Sequence, residues 1–340
     1  DEDKIIDFSA NIKPLGYPPE LKEMIIKELD SILNYPDIDS FELVSGLSEY
    51  HDIGRDYIIV GNGSTEFMYS IPTAFKPQKA LIVTPAFSEY EKGLRLAGAK
   101  VSYFQTDEKE DFSIDIARLC KRLKEGFDIV CFCNPANPTG VLTSKDELCR
   151  AIACAGKTGT LAVIDEAFID FEEEESVKKE ILRFSNLIVL RSMTKFFGIP
   201  GLRIGYVIAS TPCIAKIREV KPPWTVNSLG QKVAAYAFSD RDYIRDTRQY
   251  ITNERELLMA AINEIPGLKT YKSAANFLLV FMNSRIGLNS TELKDNLSRE
   301  GILIRDCSTF DGMGDRYFRL AGKKHDQNMI LIEKLKEVVK

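Results

Sequence analysis

The chain has 340 residues, a formal net charge of −5, and hydrophobic and charged fractions of 44% and 28%, which are ordinary for a globular protein. The negative charge argues against a nucleic-acid surface. The absence of any run of 18 apolar residues argues against a membrane span. The chain has only two histidines, which argues against a zinc site, so no metal is expected. Seven cysteines without a C-x-x-C pair, and no signal-peptide pattern, predict a reducing, cytoplasmic location.

Residues 1–40 predict an N-terminal arm and a helix. Residues 5–16 carry proline and glycine without a clear hydrophobic period, which indicates an irregular arm. Pro18 and Pro19 favour the start of a helix, and an amphipathic pattern runs from Pro19 to Leu33. The turn Asn34-Tyr35-Pro36-Asp37 follows.

The segment 41–239 predicts a large α/β domain, in which short apolar runs alternate with helical patterns. This alternation indicates a mostly parallel sheet with helices on both faces. The acidic run 172–175 is interpreted as a solvated loop. Strands are expected at 57–60, 80–83, 101–105, 129–133, 161–164, 186–191 and 203–209, and helices at 40–50, 67–74, 89–97, 113–125, 144–156 and 175–183.

The segment 240–340 predicts a smaller α+β domain. Two long helical stretches, at 227–238 and 240–264, precede a β-β-α-β-β-α pattern. Its strands are expected at 268–272, 277–282, 302–305 and 316–320, and its helices at 291–300 and 325–339.

Polar side chains follow three successive strands of the large domain. Asn137 follows the predicted strand 129–133, Asp165 follows the strand 161–164, and Lys195 follows the run 186–191. Because ligands of open α/β sheets bind at the carboxyl ends of the strands, these side chains are expected at one edge. A lysine can form an imine with an aldehyde, an aspartate can pair with a pyridine nitrogen, and an asparagine can donate to a phenolate oxygen. The three residues therefore predict a site for pyridoxal phosphate.

Further residues near these strand ends suit the same cofactor. Ser192 and Thr194 offer hydroxyls, and Arg203 offers a guanidinium, to its phosphate. Phe87 offers an aromatic face on which the ring can stack.

The turn 61–66, Gly-Asn-Gly-Ser-Thr-Glu, lies between a predicted strand and a predicted helix. Gly63, Ser64 and Thr65 would present backbone N–H groups and hydroxyls at the helix amino end, which favours a phosphate. Glu66 replaces the third glycine of a dinucleotide-binding fingerprint and argues against that alternative. A glycine turn without a ligand would show the same pattern.

The motifs Asn134-Pro135-Ala136-Asn137-Pro138-Thr139-Gly140, Asp165-Glu166-Ala167-Phe168 and Ser192-Met193-Thr194-Lys195 resemble those of the fold type I pyridoxal-phosphate enzymes, in the branch of the histidinol-phosphate aminotransferases. The likeness covers essentially the whole chain. Within that branch it extends to the decarboxylases of L-threonine O-3-phosphate, through segments such as 7–12, 83–90 and 224–227.

The resemblance implies roles for individual residues. Lys195 would bind the cofactor aldehyde and Asp165 the pyridine nitrogen. Arg319 would bind the substrate α-carboxylate, with Asn11, Ile12 and Asn137 also at the substrate. Tyr35 matches the tyrosine of a Y-P-D motif that reaches the cofactor of the neighbouring subunit, which implies a homodimer.

Three positions bear on the substrate. Arg305 ends the run Ile302-Leu303-Ile304 and offers a second guanidinium for a substrate phosphate, although a surface salt bridge is the alternative. Phe168 stands where many aminotransferases carry a tyrosine that touches the ring oxygen. Ser64 replaces a glutamate expected in the decarboxylase.

The resemblance implies a lyase that decarboxylates L-threonine O-3-phosphate to (R)-1-amino-2-propanol O-2-phosphate in cobalamin biosynthesis. The alternative is an aminotransferase of the histidinol-phosphate type. A third class, the sensor domain of a transcription regulator, would need a DNA-binding module, and these residues predict none.

Overall fold

The computed structural model describes residues 5–17 and 19–339. The strands are β1 Ile6–Asp7, β2 Ile58–Asn62, β3 Lys79–Thr84, β4 Lys100–Gln105, β5 Ile129–Cys133, β6 Leu161–Asp165, β7 Leu187–Ser192, β8 Ile204–Ala209, β9 Leu268–Thr270, β10 Phe277–Met282, β11 Ile302–Leu303, β12 Arg305–Asp306 and β13 Tyr317–Ala321. The α-helices are α1 Pro19–Lys27, α2 Phe41–His51, α3 Ser64–Phe75, α4 Glu89–Leu96, α5 Ile116–Leu123, α6 Lys145–Lys157, α7 Met193–Phe196, α8 Thr211–Val220, α9 Ser228–Ala237, α10 Arg241–Asn263, α11 Ser290–Arg299 and α12 His325–Val338.

A seven-stranded sheet forms the centre of the molecule, in the order β2-β8-β7-β6-β5-β3-β4. Strand β8 is antiparallel to both of its neighbours, and the other pairings are parallel. Alternate side chains of β5 enter two different cores, Val130 and Phe132 on one face and Ile129 and Cys131 on the other. Both faces of the sheet are therefore covered, and the predicted mostly parallel α/β architecture is confirmed.

The register of the central strands aligns their carboxyl ends. Cys133 of β5 lies beside Asp165 of β6, and Asp165 lies beside Leu190 of β7. The polar segments that follow these strands therefore begin at one edge of the sheet. The sequence predicts this edge because its apolar strands and polar ends are local patterns.

The C-terminal residues form a four-stranded antiparallel sheet in the order β12-β13-β10-β9. Helices α11 and α12 pack with this sheet around a separate apolar core, which includes Leu293 and Leu331. The predicted strand 302–305 is two strands, because β11 pairs with β1 while β12 pairs with β13. Domain boundaries at residues 40 and 239 stay a prediction.

The N-terminal arm is more ordered than the sequence indicates. Ile6 and Asp7 form a short parallel pairing with Ile302 and Leu303, and the amide of Ala321 donates to the carbonyl of Phe8 at 2.8 Å. This pairing depends on a strand almost 300 residues away, so no local pattern reveals it. Pro18, which was used to predict the helix start, lies outside the described residues.

Several helical predictions differ from the structure. The helix predicted for Pro19 to Leu33 ends at Lys27 and continues as a 3-10 segment, Leu29–Leu33. A short helix, α7, forms directly after β7 and was not predicted. Helix α8 was not predicted.

The acidic stretch was also interpreted wrongly. Residues 169–175 and 178–182 form two 3-10 segments in place of a solvated loop and an α-helix. The carboxylate of Glu173 turns inward and pairs with Arg191 at 2.6 Å. An interior cation, which the local sequence does not show, therefore determines this conformation.

Two cysteines form a disulfide. Cys120 of α5 and Cys154 of α6 are joined across a Cα–Cα distance of 5.6 Å. They are 34 residues apart and meet because the two helices pack together. No local pattern predicts this pairing, because it depends on tertiary packing.

Candidate active site

A cavity of about 600 Å³ opens at the carboxyl ends of β5, β6 and β7. It gathers residues from the N-terminal arm, the central sheet and the C-terminal sheet. Of the residues predicted to bind cofactor or substrate, the cavity is lined by Asn11, Ile12, Ser64, Thr65, Phe87, Asn137, Asp165, Ser192, Thr194, Lys195, Arg203, Arg305 and Arg319.

Asp165, the last residue of β6, is 3% exposed and faces this cavity. Its Oδ2 accepts a hydrogen bond from the hydroxyl of Tyr90 at 2.5 Å, and its Oδ1 accepts from the amide of Ala167 at 3.0 Å. Burial raises the pKa of Asp165 to about 6, while these two hydrogen bonds and the charge of Lys195 act in the opposite direction. The carboxyl group is therefore mainly ionised at neutral pH.

Lys195 lies on α7, directly after β7. Desolvation lowers the pKa of its amine, and the nearby positive charges of Arg319 and Arg203 lower it further, whereas Asp165 raises it. A larger neutral fraction makes the amine a better nucleophile toward an aldehyde.

The start of α3 forms a narrow turn against Arg203. Gly63 has φ +75°, and a Cβ at this position would lie 2.6 Å from Nη2 of Arg203. The first amides of the helix, at Ser64 and Thr65, have no acceptor within the helix and are available to an anion. On the other side, the hydroxyls of Ser192 and Thr194 lie 2.8 Å apart. Gly63 itself supports the cavity and does not line it.

Glu66 closes the same turn. Its Oε2 accepts from the amide of Asn62 at 2.5 Å, and its Oε1 accepts from the hydroxyl of Thr225 at 3.2 Å and lies 3.7 Å from Nζ of Lys221. The residue that replaces the third glycine of a dinucleotide motif therefore has a structural role in holding the turn.

Arg319 of β13 is 7% exposed and reaches the cavity from the C-terminal sheet. Nη1 donates to Oδ1 of Asn137 at 2.5 Å, and Nη2 donates to the carbonyl of Ser9 at 2.8 Å. Nε of Arg319 and Oδ1 of Asn11 are buried without a partner among the residues that the structure describes. Because buried polar atoms are normally hydrogen-bonded, these two atoms fit a ligand.

Arg305 of β12 lies directly opposite Arg319 in the antiparallel ladder. Residues opposite each other in such a pair have side chains on the same face, with Cβ atoms about 5 Å apart. Nη2 of Arg305 donates to the hydroxyl of Thr309 at 2.9 Å. No carboxylate pairs with Arg305 within residues 5–17 and 19–339, so the alternative of a surface salt bridge is not observed.

The model of the aminotransferase class I and II family matches residues 3–335 of the chain. The chain belongs to this family. Its members depend on pyridoxal phosphate, which confirms the cofactor predicted from the sequence.

Members with two different reactions are similar to this chain. The threonine-phosphate decarboxylase of Salmonella typhimurium is 35% identical over 99% of this chain and 92% of its own length. A crystal structure of histidinol-phosphate aminotransferase from Clostridium acetobutylicum superposes with a TM-score of 0.91 at 31% identity, covering 98% of this chain and 99% of that chain. A structure of L-threonine-O-3-phosphate decarboxylase from Porphyromonas gingivalis superposes with a TM-score of 0.87 at 27% identity, covering 98% of this chain and 99% of that chain. The fold type I architecture predicted from the motifs is confirmed.

Two phenylalanines complete the cavity wall in this family member. Phe87 packs edge-on against Tyr90, with ring centroids 6.2 Å apart. Phe168 is 4% exposed and packs edge-on against Phe277 at 5.0 Å.

Tyr35 lies outside the cavity. Its side chain is 86% exposed and packs near Trp224, with ring centroids 5.4 Å apart. Within the single chain it therefore contributes nothing to the site.

Sequence reasoning missed several lining residues. Ser9, Tyr90, Thr309 and Phe310 all face the cavity. Tyr90 lies in the segment 83–90 that carries the family resemblance, which could have singled it out. Thr309 and Phe310 lie in a loop without a motif, and only the fold brings them to the site.

The described residues contain no cluster of three or more His, Cys, Asp or Glu side chains that could hold a metal ion. Nor does the described part of the chain include a helix with the length and hydropathy of a membrane span.

Proposed function

We propose that this enzyme decarboxylates L-threonine O-3-phosphate, releasing carbon dioxide and (R)-1-amino-2-propanol O-2-phosphate, in cobalamin biosynthesis. The charge balance of the cavity is the main support. Its lining contains four cationic side chains, Lys195, Arg203, Arg305 and Arg319, and one carboxylate, Asp165. Arg319 is buried and Lys195 is half-buried, whereas Arg203 and Arg305 are exposed at the cavity. Desolvated cations need counter-charges, and a cofactor phosphate, a substrate phosphate and a substrate carboxylate would balance the whole set.

The cofactor would occupy the part of the cavity between Asp165 and the start of α3. Asp165 would face the ring nitrogen, Lys195 would bind the aldehyde, and Asn137 would donate to the ring oxygen. When bound, pyridoxal phosphate supplies an electron sink for the charge left on the substrate Cα. Stacking on the ring is assigned to Phe87, and phosphate binding is assigned to Ser64, Thr65, Ser192, Thr194 and Arg203, while Gly63 would shape the turn that presents the amides of Ser64 and Thr65.

The substrate would lie between the N-terminal arm and the C-terminal sheet, near Asn11 and Ile12. Arg319 would hold the α-carboxylate and Arg305 the phosphate, each through charge-assisted hydrogen bonds. Threonine phosphate brings both anions in one molecule, whereas histidinol phosphate carries a phosphate and no carboxylate. Two neighbouring guanidiniums without an acidic partner in the described chain therefore favour threonine phosphate.

The direction in which the carboxylate is held would select the reaction. The orientation of the bound substrate would decide which bond at Cα breaks, since the cofactor would accept the electrons of that bond. Because Arg319 is itself fixed by Asn137 and by the carbonyl of Ser9, it would hold the carboxylate in one direction. Lys195 would return a proton to Cα after carbon dioxide leaves.

An aminotransferase of the histidinol-phosphate type is the second candidate. Similarity to those enzymes is nearly as high as to the decarboxylases. The arginine pair could also bind the two carboxylates of 2-oxoglutarate, which an aminotransferase needs.

A product assay separates the two reactions. With threonine phosphate, we expect carbon dioxide and no 2-oxo acid, and with histidinol phosphate plus 2-oxoglutarate we expect no glutamate. Glutamate formation that depends on 2-oxoglutarate would overturn the decarboxylase and support the aminotransferase.

The phosphate site is tested with Arg305→Ala. We expect KM for threonine phosphate to rise about a hundred-fold, because a charge-assisted bidentate contact contributes about 3 kcal/mol, while KM for unphosphorylated threonine changes little. Arg299→Ala, on α11 of the same C-terminal unit, is the matched control and should leave both values unchanged. Equal effects of Arg305→Ala on the two substrates would remove Arg305 from the phosphate site.

We also propose a homodimer. Large apolar side chains are concentrated among the exposed residues of the N-terminal region, and exposed apolar clusters mark protein interfaces. They are Ile26, Leu29, Ile32, Leu33, Tyr35, Ile38 and Phe41. Tyr35 would then reach the cavity of the second subunit. Sedimentation should show a dimer, and Leu33→Glu should shift it toward the monomer. A monomeric wild-type protein at micromolar concentration would contradict this assembly.

A further inference from the structure

Tyr90 donates a side-chain hydrogen bond to Asp165. It is the second residue of α4 and is 3% exposed, with its hydroxyl 2.5 Å from Oδ2 of Asp165. Its ring packs against Phe87 and belongs to the apolar core on one face of the sheet. The phenol is therefore held on both sides, by the core around its ring and by the carboxylate at its hydroxyl.

The position of Tyr90 is fixed by close helix packing. Gly93, one turn further along α4, lies against α3, and a Cβ at this residue would be 2.0 Å from the carbonyl oxygen of Met68. Only glycine allows the two helices to approach so closely. Helix α4 consequently has little freedom to withdraw the hydroxyl from Asp165.

The hydrogen bonds that Asp165 accepts affect whether its carboxyl group is ionised. Burial favours the neutral carboxylic acid, and hydrogen-bond donors favour the carboxylate. Two donors reach the group, the backbone amide of Ala167 at Oδ1 and the phenol of Tyr90 at Oδ2. Each oxygen keeps a lone pair, so a pyridine N–H can be a third donor. Of these two donors, only the hydroxyl of Tyr90 belongs to a side chain, so only it can be removed by a simple substitution.

We propose that Tyr90 is a positioning residue that holds the Asp165 carboxylate ionised and in one orientation, so that the proton shared between Asp165 and the cofactor ring stays on the ring nitrogen. The inference rests on the role proposed above for Asp165. Without the phenol, the same proton would move from the ring nitrogen to the carboxylate oxygen, and the total number of bound protons would not change.

Tyr90→Phe tests this directly, because it keeps the ring and its packing on Phe87 and removes only the hydroxyl. Wild-type and variant enzymes are loaded with cofactor labelled with ¹⁵N in the ring. In the variant we expect the ¹⁵N resonance to move toward that of neutral pyridine, and the cofactor to bind about ten-fold more weakly, which corresponds to one pKa unit.

Tyr69→Phe is the matched control. Tyr69, on α3, also donates to a carboxylate, that of Glu89, outside the cavity. Its variant should leave the ¹⁵N resonance and cofactor binding at wild-type values. A wild-type resonance in Tyr90→Phe would overturn the proposal and leave Tyr90 as a packing residue.

Two further variants make the outcome unambiguous. Asp165→Asn should give the neutral ring resonance whatever Tyr90 does. If Asp165→Asn keeps the protonated resonance, the role of Asp165 itself fails, and the proposal for Tyr90 falls with it. If Tyr90→Phe does not fold, 4-aminophenylalanine at position 90 provides a weaker donor in the same place. It should move the resonance part of the way toward that of neutral pyridine, and an unchanged resonance would contradict the inference.

Discussion

Two groups of charged residues, one in the cavity and one in the protein interior, lie on opposite sides of β6 and β7. They differ in how their charges are neutralised. Asp165 and Ser192 face the cavity, whereas their chain neighbours Glu166 and Arg191 point into the interior on the other side. Successive strand residues face opposite sides of a sheet, so the same two strands supply both groups. The interior group has one buried arginine among carboxylates, and the cavity has four cations and one carboxylate.

The interior group is paired within the chain. The terminal nitrogens of Arg191 lie 3.1 Å from Glu166, 2.8 Å from Asp170 and 2.6 Å from Glu173. Lys178 forms a further pair with Glu173. The cavity cations have no comparable set of carboxylates in the described chain. A paired buried charge maintains structure, and an unpaired one is available to a ligand, so the difference separates residues needed for folding from residues needed for function.

The largest effect is expected for Lys195→Ala. Loss of the amine that binds the cofactor aldehyde should lower kcat on the order of 10⁵-fold, as for other residues that form the covalent bond to the reacting group. The fold should persist, because the variant removes a cation without a carboxylate partner. Cofactor should still bind through its phosphate.

Borohydride reduction followed by mass spectrometry checks the same assignment. In the wild-type protein the reduced cofactor should be attached to Lys195, and in the variant the adduct should be absent. An adduct on another lysine would contradict the assignment.

Asp165→Ala should come next, with a loss of kcat on the order of 10³-fold. A preorganised carboxylate beside a positive ring nitrogen commonly supplies several kcal/mol of electrostatic stabilisation. Unlike Lys195→Ala, this variant should still form the covalent adduct with cofactor on borohydride treatment. Turnover close to wild type would contradict the proposed role of Asp165.

Arg191→Met tests the interior group. Removing one partner of a buried ion pair leaves uncompensated charges and typically costs about 3–5 kcal/mol. We expect the free energy of unfolding, measured with urea, to fall by this amount. Arg299→Met, on exposed α11, should change it by less than about 0.5 kcal/mol. At a low temperature, where Arg191→Met stays folded, its KM should remain within about two-fold of the wild-type value, because Arg191 does not line the cavity.

The sequence predicts one of these two groups far better than the other. Asn137, Asp165 and Lys195 follow continuous apolar strands, and the strand pattern together with the parallel-sheet rule brings them to one edge. The interior pairing of Glu173 with Arg191 was mistaken for a solvated loop, because only tertiary structure places an arginine beneath the acidic run. The predictable part of the site is the part built from local pattern.

The same limit applies to the C-terminal contributions. Arg319 was assigned by resemblance, and its contacts with Asn137 and Ser9 join three regions that are more than a hundred residues apart. Tyr90 lies in a segment that carries the family resemblance, but no local pattern indicates its contact with Asp165. Such contacts follow from helix packing, which single-residue patterns do not encode.

A smaller effect than those of the substitutions above is expected for the pH dependence of cofactor binding in the cavity. Burial raises the pKa of Asp165 to about 6, so the carboxylate needed by a ring N–H is present above this pH and is lost as the pH falls through it. We expect the affinity for pyridoxal phosphate to fall about five-fold more between pH 6 and pH 5 in the wild type than in Asp165→Asn, because the ionised fraction of a group with this pKa falls by that factor. Fluorescence titration measures both. Identical pH profiles would exclude titration of Asp165 as the cause.

Phe168→Tyr should have the smallest effect. Phe168 is buried against Phe277 and lines the cavity, in a position where many aminotransferases carry a tyrosine. A new hydroxyl there could donate to the cofactor ring oxygen, and a neutral hydrogen bond contributes about 1 kcal/mol. We therefore expect kcat to change by less than about five-fold, and the absorption maximum of the bound cofactor to shift. Since Asp165→Ala removes a charge and Phe168→Tyr adds one neutral contact, the first should reduce activity at least a hundred-fold more than the second. Comparable losses of kcat in the two variants would show that packing at Phe168 is as important as the Asp165 charge, and would contradict the division between charged ligand groups and supporting structure.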